Sequence, residues 1–503
     1  MKTPFARLLL VLFACIAIVD YCSAKSGISP TIFPQPIECE ISATQYLPLS
    51  KVIISTPVES AQKWAEKHLK LWYDKFAPEV VLNADTTLDS FGDEEYELTI
   101  DQEGVKIKAR TMQGVRYALY SVRQIAIADR GKAEVDGWIV PKTNIKDKPQ
   151  MSFRGVHICW FHETEPWEVE RLVRLAAYYK MNYAVIESWG TFKSDVAPWF
   201  GWKDGTMTKK AIARLKSIAD DLGITLIPQI NVFGHATQAR SLTGKHAALD
   251  LNPKYQPLFE PLAGWNWCLS NPETRKLLQA MIKERYEAFG RPPYFHIGCD
   301  EANQPSCPDC ISQPYSKLFV DHIKAMNDTI SSLGAKTIMW HDMLISWEPC
   351  FNGFYTNGTK QTAEGFLELP RDIIVADWYY GGKQSAYPTL EYFKEKGFSV
   401  LTCPWNNTAG IKAQSKYASD VGLMGVLGTL WHHYYGRSLA VIYYTLSNAM
   451  WNPYAQINDE IGEVNLQLVH THLRHIGLDM KLKDARHKGT YYDEIPPEPF
   501  LNN

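Results

Sequence analysis

From Met151 onward the chain repeats one unit, a short apolar strand followed by an amphipathic helix. The strand runs are Phe153–Trp160, Tyr183–Glu187, Thr225–Asn231, Tyr294–Asp300, Lys336–Trp340, Asp372–Trp378, Phe398–Cys403 and Met424–Trp431. Helical periodicity follows most of them, as in Trp167–Tyr179, Lys209–Leu222, Thr274–Phe289 and Lys317–Leu333. Near-continuous apolar strands separated by helices are parallel strands covered on both faces. Eight such units predict an α/β chain built on a closed (β/α)8 barrel, the TIM barrel. The competing architecture is an open doubly wound sheet, but no glycine-rich dinucleotide or P-loop fingerprint supports it.

The segment before the barrel has a different rhythm. Lys51–Ser55 reads as a strand and Glu59–Phe76 as an amphipathic helix. Tyr96–Asp101 and Val105–Ala109 alternate as a hairpin about Gly104, and Gln113–Ala128 reads as a second helix. A smaller α+β domain over 25–148 is therefore expected, with Lys146-Asp147-Lys148-Pro149 as the junction. The barrel is expected over 149–480, with a tail at 481–503.

Residues 1–24 read as an export signal. Lys2 and Arg7 precede the apolar run Leu8–Val19, and Cys22-Ser23-Ala24 offers small residues before a cut at Lys25. Exported placement, periplasmic or secreted, is expected. Lipoprotein anchoring at Cys15 is disfavoured because Phe13 is bulky. No other run reaches the roughly 18 apolar residues of a membrane span. The 52 basic and 55 acidic side chains leave a net charge of −3 with no like-charge block, so no nucleic-acid footprint exists. The oligomeric state is not legible. The aromatic content is high, with 16 Trp, 26 Tyr and 20 Phe. Core packing absorbs most of these rings, and the remainder suit a ligand with flat apolar faces, such as a sugar.

In such a barrel the site lies at the carboxyl ends of the strands. Trp, His and carboxylate residues gather there, including Trp340, His341, Asp342, Trp378, Tyr379, Trp405 and Trp431. The most informative run is Phe295-His296-Ile297-Gly298-Cys299-Asp300-Glu301, which ends in two consecutive carboxylates. Two such neighbours repel, and that favours a proton on one of them, as a general acid requires. An Asp-Glu pair capping the next segment is the bland alternative.

His296-Ile297-Gly298-Cys299-Asp300-Glu301 resembles the His-x-Gly-Gly-Asp-Glu signature of glycoside hydrolase family 20, the β-N-acetylhexosaminidases. Ile227–Ala236, ending Gly234-His235-Ala236, resembles that family's third-strand segment. Arg154-Gly155, Lys180-Met181-Asn182 and Gly114–Leu119 add supporting likeness. The resemblance implies a retaining hydrolase without an enzyme nucleophile, in which the substrate's own 2-acetamido oxygen attacks the anomeric carbon. It implies Glu301 as acid and then base, and Asp300 as the group holding the acetamido N–H. Trp340, Trp378 and Trp431, with Trp405, would form the sugar box. His235, His162, Glu187, Asn231 and Tyr379 would contact substrate, Tyr379 taking the acetamido oxygen. His296 and Arg154 would stand behind and orient the carboxylates. No cofactor and no metal is implied; the partner would be a glycan bearing a 2-acetamido sugar.

The chain departs from the family pattern at the hydroxyl-reading positions. His162 stands where an Arg is usual, Cys159 for Asp, Val185-Ile186-Glu187 for a His-x-His stretch, and Gln229 and Asn231 for Glu and Asp. His432 and His433 follow Trp431 where a Glu is usual. An altered sugar preference is the reading, with lost activity as the alternative. Two rivals remain at this level. A non-catalytic glycan-binding barrel would keep the Trp box, and a metal-dependent hydrolase would use His157, His235, His296, His341 and Asp300. Cys307-Pro308-Asp309-Cys310 is one C-x2-C pair, read as a disulfide or two thiols ahead of a metal clamp completed by Cys268, Cys299 or a His.

Overall fold

A computed structural model describes residues 32–128, 137–161, 164–201, 205–236, 249, 252–261, 264–346, 354, 356–431, 434, 439, 441–455, 469 and 471–474. The expected leader, the expected tail and His162 lie outside the described residues. Contacts divide the chain into two compact units at Lys148 and Pro149.

The first unit is a mixed sheet with two helices. Its strands are β1 (Glu38–Pro48), β2 (Lys51–Thr56), β3 (Glu79–Ala84), β4 (Tyr96–Asp101), β5 (Gly104–Lys108), β6 (Ile127–Ala128) and β7 (Trp138–Asp147). The order is β1-β7-β4-β5-β2-β3, with β6 on β7. Alternation sets the covered face: Val52 and Ile54, Leu98 and Ile100, and Val105 and Ile107 are all buried. Helices α1 (Ser60–Tyr73) and α2 (Met112–Ile125) pack on this sheet. The Thr111 hydroxyl caps α2 by accepting from the amides of Gln113 and Gly114.

The second unit is the expected eight-stranded parallel barrel. Its strands are β8 (Phe153–Trp160), β9 (Tyr183–Ser188), β10 (Thr225–Gln229), β11 (Tyr294–His296), β12 (Lys336–Trp340), β13 (Ile374–Trp378), β14 (Ser399–Cys403) and β15 (Gly425–Thr429). A helix follows each strand: Pro166–Tyr178, Lys209–Leu222, Pro272–Ala288, Tyr315–Ser332, Lys360–Phe366, Pro388–Glu395, Thr408–Asp420 and Leu446–Trp451. Local signals set their ends. Thr208 caps one start through the Ala211 amide, and Gly223 closes that helix at φ 76°.

Phe153, Val185, Ile227, Ile338, Ile374, Leu401 and Leu427 belong to one cluster inside the barrel. A larger cluster, including Phe233, Phe295, Phe319 and Phe393, includes residues of both the strands and the covering helices. At the amino ends of the strands, the rings of Phe153 and Tyr183 stack at 4.2 Å. Five strands, β10, β11, β13, β14 and β15, are shorter than their apolar runs suggested. The largest loss is in β11, which stops at His296 because Gly298 and Cys299 adopt left-handed backbone at φ 66° and 76°. Among the described residues, no helix is long and apolar enough to cross a membrane.

Leu427 is fully buried at the barrel centre. Leu427→Ala should destabilise the barrel by about 2–5 kcal/mol, read as a lower midpoint in denaturant unfolding.

Candidate active site

The carboxyl ends of β10 and β11 bring Asp300, Glu301 and His235 together. His235 Nε2 lies 3.2 Å from Asp300 Oδ2 and 3.1 Å from Glu301 Oε2. The single nitrogen thus lies within hydrogen-bond reach of both carboxylates and links them. The two acids differ in exposure: the Asp300 side chain is 7% exposed and that of Glu301 is 49% exposed. His235 and Glu301 both adopt left-handed backbone, at φ 55° and 48°.

Close packing holds this geometry. A Cβ on Gly298 would stand 1.6 Å from Asn231 Oδ1, and one on Gly234 would stand 2.2 Å from the Asp300 carbonyl oxygen. Only glycine permits both approaches. The Glu301 amide donates to Asp342 Oδ2 at 2.8 Å, and its carbonyl accepts from Trp265 Nε1 at 2.7 Å. The Trp265 ring also lies 4.3 Å from the His235 ring.

Asp342 is fully buried, and burial followed by the charge of Asp300 pushes its carboxyl up to about 6. It accepts further bonds from Asn357 Nδ2 at 3.0 Å and Trp378 Nε1 at 3.3 Å. Asn357 heads a glycosylation sequon, but here its amide group is spent on Asp342.

An aromatic wall faces this group. The rings of Trp378 and Tyr380 stack at 5.2 Å, and Trp405 meets Tyr380 edge-on at 5.2 Å. Trp431 Nε1 donates to the Tyr380 hydroxyl at 3.0 Å. Burial raises the Tyr380 phenol well above its ordinary value, which keeps it protonated.

One layer lower, Trp340 is fully buried, 4.4 Å from the His296 ring and 5.5 Å from that of His157. Glu187 and Asn231 lie in this layer too. Glu187 meets His157 Nε2 at 3.0 Å and accepts from Asn231 Nδ2 at 2.9 Å. These two and Trp340 thus stand beneath the carboxylate pair. His296 Nδ1 accepts from the Gly298 amide at 3.0 Å, supporting the turn that leads to Asp300.

Two expectations need correction. Tyr379 does not join the wall: it stacks on Phe354 at 4.6 Å and takes a bond from Gln384 at 2.7 Å in the outer cluster. Alternation puts Trp378 and Tyr380 on one face and Tyr379 on the other. Arg154 does not stand behind the carboxylates. It sits at the amino end of β8, bonded to the Lys180 and Met151 carbonyls and lying over Trp451. Some six residues of strand, about 20 Å, separate it from the rim. The five groups of the metal-hydrolase rival also fail to converge. His341 faces outward beside Asp377 at 3.4 Å, and His157 is engaged by Glu187.

Tyr380 and Trp265 were not singled out from sequence, and Asp342 was noted only as one of the groups at the strand ends. Tyr380 was accessible, being in phase with Trp378, and Asp342 lies just past a strand end. Trp265 lies in a long connection with no local signal.

The paired carboxylates at the carboxyl ends of the barrel strands form the candidate site. A profile of the glycosyl hydrolase family 20 catalytic domain matches residues 144–444, and one of the family's domain 2 matches 29–148. The chain belongs to glycosyl hydrolase family 20. It is 25% identical over 339 residues to a β-hexosaminidase of Vibrio furnissii, covering 57% of this chain and 52% of that one. It is 27% identical over 231 residues to a β-N-acetylhexosaminidase of Cellulomonas fimi, covering 42% and 44%. The chain thus spans about half the length of the curated relatives it matches. The fold matches a GH20 exo-β-N-acetylglucosaminidase of Vibrio harveyi, solved with N-acetylglucosamine, at TM-score 0.67 and 17% identity, covering 89% and 77%. It also matches a β-N-acetylhexosaminidase of Bacteroides fragilis at 0.64 and 18%, covering 90% and 96%.

Gly298→Ala should cost about 3 kcal/mol or more, combining a left-handed backbone with overlap on Asn231, and should lower the thermal midpoint. Asp342 binds its proton more tightly folded than unfolded, so its stabilising share is present below about pH 4 and lost as pH rises through about 6. Asp342→Asn should therefore gain on wild type by at most about 3 kcal/mol between those limits, measured as stability against pH.

Proposed function

We propose that this protein is a β-N-acetylhexosaminidase that removes terminal β-linked 2-acetamido sugars by a retaining, substrate-assisted mechanism. The observation that carries the reading is the unequal pair bridged by His235, with Asp300 buried and Glu301 open to solvent. A leaving-group oxygen arrives from the open side, so Glu301 is the acid that protonates it and the base that later activates water. Asp300 holds the acetamido N–H and stabilises the positive charge that develops as the acetamido oxygen attacks. The wall of Trp378, Tyr380, Trp405 and Trp431 gives the sugar ring and the acetamido methyl an apolar face. The names of the relatives agree with this substrate class. Changed residues around the pair support an altered sugar preference, such as GalNAc or a substituted GlcNAc.

We also propose export, to the periplasm or medium, by cleavage of residues 1–24, leaving the accessory domain at 25–148 and the barrel at 149–480. The mature protein should begin at Lys25 by amino-terminal sequencing; an intact amino terminus on protein recovered from that compartment contradicts this.

The central test uses aryl β-N-acetylglucosaminide and β-N-acetylgalactosaminide. Glu301→Gln should lower kcat by about 10²–10⁴-fold on the better substrate. Wild type no faster than the variant on any 2-acetamido sugar ends the hydrolase reading. Equal turnover of the matching aryl glycoside without the acetamido group ends substrate assistance alone.

A further inference from the structure

Beside the site, two loops meet around three sulfurs and a carboxylate. The loop after β10 supplies Glu260 and Cys268, and the loop after β11 supplies Cys307 and Cys310. We propose that these four residues form a structural zinc site that clamps the two loops together.

Four ligand atoms, one per residue, lie within 4.8 Å of one another. Cys268 Sγ is 3.7 Å from Cys307 Sγ and 3.8 Å from Cys310 Sγ. Zinc with Zn–S bonds of about 2.3 Å sets tetrahedral sulfurs about 3.8 Å apart, whatever the fourth ligand. A disulfide needs about 2.05 Å, and the three thiols are free.

The carboxylate is a separate observation. Glu260 is 5% exposed. Its Oε2 accepts from the amides of Ser306 and Cys307, both at 2.7 Å. Its Oε1 is buried with no hydrogen-bond partner among the described residues. A buried carboxylate oxygen without a donor is costly unless a cation meets it. Three thiolates and one carboxylate select a soft-to-borderline divalent ion, for which zinc is the common occupant. Backbone donors soften the surplus negative charge, with the Cys310 amide 3.3 Å from Cys307 Sγ. The single helical turn Pro308–Ile311 presents Cys310 from the second loop.

The clamp has a mechanical consequence. Between Glu260 and Cys268 lie Trp265, bonded to the Glu301 carbonyl, and Asn266, which exchanges two bonds with the Asn303 backbone at 2.6 and 3.0 Å. Closing the sulfur cluster holds this strap against the segment that carries Glu301.

The test uses the full chain, expressed with zinc and purified without chelator. Metal analysis should find about one zinc per chain, retained in Cys39→Ser and lost in Cys307→Ser, Cys310→Ser and Glu260→Gln. Chelation should lower the melting temperature by at least about 5 °C, and added zinc should restore it. If the variants fail to fold, cobalt loading of wild type decides, by its tetrahedral cobalt–thiolate absorption. Zinc below about a tenth of an equivalent with no cobalt–thiolate bands overturns the proposal. So does a disulfide among Cys268, Cys307 and Cys310 found by peptide mapping without reductant. Neither result depends on which sugar, if any, is hydrolysed.

Discussion

The site depends on a break in strand alternation at the end of β11. Consecutive residues of an extended strand point to opposite faces, so Asp300 and Glu301 could not both face one partner from a regular strand. Left-handed backbone at Gly298, Cys299 and Glu301 removes that restriction. Both carboxylates then reach the same nitrogen of His235. A non-glycine residue in this conformation costs of order 1–3 kcal/mol, and it persists only when its surroundings over-determine it. Here the surroundings are visible: the Asp342 carboxylate under the Glu301 amide, the Trp265 indole on its carbonyl, and the Gly234 backbone against Asp300.

A second constraint is electrostatic. Asp300, Glu301 and Asp342 place three acids in one small region, with His235 between two of them. Asp342 is the most deeply buried, and it meets the cost partly by accepting from Glu301, Asn357 and Trp378. The same residue therefore fixes one ring of the aromatic wall and the backbone of the exposed acid. Beneath it, Glu187 is hydrogen-bonded by His157 and Asn231. Those hydrogen bonds hold the layer directly under the rim in place.

The architecture was legible because it rests on repetition. Eight apolar runs and their helices carry the barrel through burial alone, and burial is written in periodicity. The carboxylate pair was legible because the run His296–Glu301 resembles a known family signature; the two acids alone left a capping role open. What was not legible depends on phase and on non-local packing. Tyr379 and Tyr380 are adjacent and chemically alike, and only alternation from Trp378 separates the wall residue from the outer-cluster one. Arg154 lies on a barrel strand, but at the end away from the rim. Trp265 reaches Glu301 across 36 positions by a bond that no local pattern encodes. Cys268 was one of several partners the sequence offered Cys307 and Cys310, and only the meeting of two separate loops selects it.

The aromatic excess resolves into two populations with different duties. Rings such as Phe295, Phe319 and Phe393 fill space between barrel and helices, and their removal would leave cavities. The wall rings instead form a linked set whose hub is Tyr380. Its face takes Trp378, its edge meets Trp405, and its hydroxyl receives the Trp431 indole. Those three Trp residues come from the ends of three different strand–loop segments, so the hub couples the positions of β13, β14 and β15 at the rim. A flat apolar ligand face requires rings held at fixed mutual angles, because each ring left free would lose entropy on binding. One phenol, kept protonated by its surroundings, supplies that preorganisation for the whole wall.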